Sequence, residues 1–128
     1  MKALFVSLAV LAAGSPALAS SIIRCDLTVD VLEREPYVIW DRITYYELQA
    51  TLKIREAVEV QPSHSDCKDR VGREVKAALH LKKDNAALTR LKAVAKGSSV
   101  KVAYRYTDGL TPQGVIASEF YWLDREPK

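Results

Sequence analysis

Tyr46-Glu47-Leu48-Gln49-Ala50-Thr51-Leu52-Lys53-Ile54 decides the fold. Apolar and polar residues alternate through it without a break, the period of a strand with one buried face. Val58 and Val60 keep the even phase, so the strand is expected to run on past Arg55. A strand that long has to bend or coil, as strands in small barrels do.

The same period recurs on both sides of this stretch. Ile23, Cys25, Leu27, Val29 and Val31 alternate with Arg24, Asp26, Thr28 and Asp30. Val75, Ala77, Leu79 and Leu81 alternate with Glu74, Lys76, Ala78, His80 and Lys82. Val100, Val102, Tyr104 and Tyr106 form a fourth run, and Val115 to Leu123 a fifth whose alternation is poor, as if both faces were partly covered. Between the third and fourth runs the period changes. Ala87, Leu88, Leu91, Val94 and Ala95 make a helical stripe, with Asp84 or Asn85 as N-cap and Gly97 as the residue that closes it. Residues 33–42 break the pattern but carry Tyr37, Val38, Ile39 and Trp40, with room for a short extra strand. Asp124 to Lys128 reads as a frayed tail.

The order strand, strand, strand, helix, strand, strand resembles the OB-fold, a small five-stranded antiparallel-type barrel. The resemblance spans nearly all of residues 20–128, as an order of elements without a sequence motif. An open antiparallel sheet with one packed helix is the rival. Closure is favoured because it removes exposed strand edges. The resemblance implies a ligand face across the second and third strands, between the connections 33–42 and 108–114. Tyr45, Gln49, Lys53, Arg55, Lys76 and His80 would point outward there.

Residues 1–19 read as a secretory signal peptide: Lys2, an apolar run from Ala3 to Ala13, and Ala17-Leu18-Ala19 before the cleavage point. The folded chain is expected to be one domain over 20–128, exported and periplasmic or secreted, with no membrane-spanning segment. Cys25 and Cys67 then read as one disulfide. The competing use of Cys67 with His64 as metal ligands lacks the four closely spaced donors of a structural zinc site. No metal and no cofactor is expected.

Charge is uneven along the chain. Residues 20–67 carry 5 basic and 9 acidic groups, residues 68–105 carry 11 and 3, and residues 106–128 carry 2 and 4. A basic middle could attract anionic partners if its charges gathered on one face; spread over several faces they would only be solvated. Nucleophile elbows, phosphate loops and dinucleotide glycine patterns are absent, and the carboxylates fall on polar strand faces. The chain is therefore expected not to be an enzyme. The expectation is a binding domain for a protein or an anionic envelope polymer, with nucleic acid an unlikely partner for an exported chain. Tyr37, Trp40, Arg42, Lys53, Arg55 and Lys76 are the candidate ligand-binding residues. The alternative is an inhibitor or immunity-type protein that inserts a rigid loop into an enzyme.

Overall fold

The computed structural model describes residues 21–127 apart from 41–43. The signal-peptide segment 1–19, the candidate Arg42 and the side chain of Trp40 lie outside the described residues. Six strands follow one another: β1 (Ser21–Arg34), β2 (Ile39–Trp40), β3 (Tyr45–Glu59), β4 (Glu74–Lys82), β5 (Ser99–Thr111) and β6 (Gly114–Leu123). A short helix, α1 (Ala87–Lys92), lies between β4 and β5, and a 3-10 turn spans Lys68–Arg70.

Pairing closes a ring. β1 is antiparallel to both β3 and β5, β3 is antiparallel to β4, and β5 is antiparallel to β6. β4 meets β6 in parallel at Leu79↔Tyr121 and His80↔Trp122. The five long strands thus form a closed mixed barrel with the OB-fold-like order, and the open-sheet rival is set aside. β2 is the extra strand of the first connection. It pairs with Tyr46 and Glu47 of β3, on the side that β1 leaves at Arg34.

A strand shared by two neighbours cannot stay flat. The β1–β3 register shifts twice, at Thr28/Val29 and at Val31/Glu33, leaving Arg55 and then Leu32 as the extra residue. An extra residue reverses which face every later side chain takes. Leu48, Ala50, Leu52 and Ile54 point into the core, but beyond Arg55 it is Ala57 that packs inward while Val58 is 63% exposed. The expectation that Val58 holds the inward phase fails at this bulge.

Leu27, Val29, Val31, Leu52, Leu79 and Val102 fill the barrel, and Ala87 and Leu91 of α1 pack against them. The helix is shorter than its stripe suggests. Ala86 stands at the N-cap, Asp84 accepts the Ala86 N–H at 2.9 Å, and Leu88 and Ala95 are not buried. Gly97 does take the left-handed conformation, φ 87°. It does so five residues beyond the helix, where its N–H donates to Val31 O at 2.7 Å.

Cys25 and Cys67 form the disulfide, with Cα atoms 5.9 Å apart and both residues fully buried. It ties the loop after β3 to β1. That loop also lies along the start of β1, because His64 Nδ1 accepts from Ile22 N–H and His64 N–H donates to Ile22 O. The bridge spans 42 residues of sequence. Crosslinking a loop of that size restricts the unfolded chain by about 4 kcal/mol in the entropy model. The Cys25→Ala/Cys67→Ala double variant is expected to lose stability of that order in urea unfolding, with the same far-ultraviolet spectrum before the transition.

Tyr104 and Tyr121 also face the core, 4.9 Å apart between ring centres. Tyr104 donates to Glu119 at 2.7 Å, and the Arg70 guanidinium lies over its ring. Burial, then the hydrogen bond to Glu119 and its charge, push Tyr104 above the ordinary tyrosine range. Burial, with the charge of Glu119, pushes Tyr121 up to about 12. Both phenols hold their protons more tightly folded than unfolded. Their contribution to stability is complete below the unfolded value of about 10 and falls as pH rises from there through the folded values. Near-ultraviolet titration should show Tyr104 and Tyr121 among the late-ionising tyrosines, and Glu119→Gln should bring Tyr104 down.

Candidate functional site

The first connection builds the site. Pro36 holds Glu35 extended, so the chain bows outward between β1 and β2 instead of continuing as strand. Arg34 fixes the base of the bow. Its Nη1 donates to the carbonyls of Lys92 at 3.0 Å and Val94 at 2.8 Å, at the end of α1, and its Nε donates to Glu35 O at 2.9 Å. A cation is well placed there, because a helix end presents unsatisfied carbonyls. Glu35 N–H in turn donates to Gln49 O on β3 at 2.9 Å.

Between the bow and the barrel wall lies a cleft of about 370 Å³. Gln49 and Thr51 of β3 and Lys76 of β4 form its floor, with Thr51 and Lys76 directly opposite each other across the two strands. Glu33, Arg34, Glu35 and Tyr37 form its wall. Tyr37 is 58% exposed. Glu33 is held by Lys96 at 2.8 Å. The lining mixes both signs of charge with one aromatic ring and neutral hydrogen-bonding groups. Among the described residues the lining contains no serine, cysteine or histidine. Such a surface can hold polar chain segments by hydrogen bonds and ring contact.

Of the expected site residues, the structure brings Tyr37 and Lys76 together. Lys53 lies along the same strands, opposite Glu74 and outside the cleft. Arg55 is the extra residue of the bulge and pairs with Asp30 at 2.9 Å, facing β1 rather than the cleft. Arg34, Glu33 and Glu35 were not singled out by the sequence. The one available signal was their place beside Pro36 at the end of an alternating run.

A second feature lies on the outer wall of β3, β4 and β6. His80 was expected to point outward from a polar face, yet it is buried. The rings of Tyr45, Phe120 and Trp122 stand 4.9, 5.0 and 5.6 Å from it, and Nε2 lies 3.3 Å from Glu47 Oε1. Phe120 and Trp122 stack at 5.0 Å. The poor alternation of the last strand reflects this: Tyr121, Trp122 and Leu123 are all buried, from both sides.

Part of the basic middle is drawn into ion pairs. Arg90 pairs with Asp124, Lys96 with Glu33, and Arg105 with Asp26 and Glu126. Arg73 pairs with Asp69. Folding therefore sets the acidic flanks of the sequence against its basic centre. Exposed pairs of this kind add little stability, but they cancel much of the local field.

No protein-family model, no curated protein and no solved structure matches the chain.

Arg34 joins the bow to the end of α1, so Arg34→Ala should loosen both. A loss of about 2 kcal/mol is expected for hydrogen bonds to a charged group. Denaturant unfolding would measure it, and amide exchange should quicken at residues 93–98.

Proposed function

We propose that this protein is a non-catalytic binding domain that recognises a segment of a partner protein in the cleft beside the first connection. The observation that carries this reading is the exposed Tyr37 ring lining one cleft with Lys76, with carboxylates and neutral hydrogen-bonding groups alongside. Aromatic anchors ringed by polar groups are the usual centre of a protein contact. The pairing of Arg90, Lys96 and Arg105 with carboxylates of the flanks favours a protein over an anionic polymer, which would need a continuous positive face.

Export to the periplasm or the exterior belongs to the same proposal. The leader pattern of residues 1–19 supports it, and so does a buried disulfide, which persists in oxidising compartments. The inhibitor reading uses the same surface. It is supported by the anchoring of the bow through Arg34, since a loop held in place loses little entropy on binding.

The test is capture of a partner from the cell envelope by the wild-type protein, repeated with variants. Tyr37→Ala is expected to weaken the complex by about 2 kcal/mol and Lys76→Glu by about 1 kcal/mol. Arg55→Glu, already committed to Asp30, should leave it unchanged. Affinity unaltered by Tyr37→Ala and Lys76→Glu would remove the cleft from consideration. Steep loss with added salt would restore the anionic polymer. Blocked turnover of a captured enzyme, relieved by Tyr37→Ala, would select the inhibitor.

A further inference from the structure

The β5–β6 hairpin runs past the barrel. Among the described residues β1 begins opposite Asp108, and residues 109–116 pair only with one another. On its other side β6 pairs with β4 only at Tyr121 and Trp122. Among the described residues β6 is therefore an open edge from Gly114 to Glu119, and an edge strand directs every second N–H and C=O away from its neighbour. Its apolar side chains are out in solvent as well: Val115 is 71% exposed and Ile116 59%, with Leu110 on the adjoining strand at 44%.

Open edges in soluble proteins are normally guarded by lysine, by proline within the strand, or by a bulge. None of these guards this one. Pro112 sits in the turn, and the β5–β6 register is unbroken from Thr111↔Gly114 to Val102↔Leu123. Residues 109–118 carry no charge, the longest such run among the described residues in a chain that is 27% charged.

We infer that this edge is an interaction surface for a second copy of the same chain, with two β6 strands pairing antiparallel about a two-fold axis. The open backbone row requires a strand as its occupant. Charge selects which strand. In a two-fold contact residue i meets residue j and j meets i, and only a residue at the axis faces its own equivalent, so a charge there would meet its like. The run 109–118 has none, so two copies can meet here without repulsion. Pairing would cover Val115 and Ile116 and extend the sheet across both barrels. The cleft beside Tyr37 is not part of this contact, so neither reading depends on the other.

Sedimentation of the purified full chain over a concentration series tests the inference, with amide exchange measured at both ends of the series. The mass is expected to double as concentration rises, and amides of residues 114–119 to become protected as it does. Ile116→Lys should remove the doubling. Val58→Lys, a change at an equally exposed apolar position on β3, should leave it. A wild-type chain that stays monomeric throughout overturns the inference, even if a foreign protein binds the hairpin. So does doubling that persists in Ile116→Lys or disappears in Val58→Lys. If Ile116→Lys fails to fold, the wild-type exchange pattern decides: a dimer that leaves residues 114–119 unprotected overturns the proposal equally.

Discussion

Everything in this molecule follows from β1 having two partners. A single strand of 14 residues hydrogen-bonds β3 on one side and β5 on the other, so the sheet has to curl until its ends meet. The curl needs the two bulges, the bulges decide where β1 stops pairing, and that stopping point creates the bow at Glu35–Val38. The cleft is thus a by-product of closure. The chain leaves the barrel wall at Arg34, and the space it opens is lined by whatever the neighbouring strands present outward.

The bow could have been a slack loop. Arg34 prevents this by spending one guanidinium on two elements, the carbonyl end of α1 and the first peptide of the connection. The helix depends on the same contact. Six residues are too few for a helix to persist alone in water. Leu91 in the core and Arg34 at the carbonyl end hold it from two sides. The short helix and the candidate binding loop are therefore mechanically one unit.

Period-two alternation made the strands, their order and their inward faces legible before any coordinates: Leu27, Leu52, Leu79 and Val102 are all core, as their phase requires. The disulfide was legible from a count of two cysteines beside an export-like leader. What alternation cannot show is a change of phase. Arg55 looks like any polar residue in a strand, and only pairing with β1 makes it the extra one that turns Val58 outward. His80 fails differently. Its phase was right, for it does point away from the barrel interior, but an outward position can still be roofed by rings arriving from distant strands. Charge is a third case. The basic middle and acidic flanks look like polarity in one dimension and become neighbours in three. For the site, Tyr37 and Lys76 were readable from loop and phase. Arg34 was not, because its role depends on where α1 ends.

The aromatic cluster has a consequence for observing the barrel itself. The β4–β6 seam is its shortest join, two residue pairs long, and Tyr45, His80, Phe120 and Trp122 clasp it from outside. Separating β6 from β4 would pull Trp122 out of a dry, ring-lined environment into water. The indole is therefore a built-in optical gauge of barrel closure, sensitive to the seam while β1, β3 and β5 remain paired. Breathing of the barrel could be followed in its emission long before the strands themselves came apart.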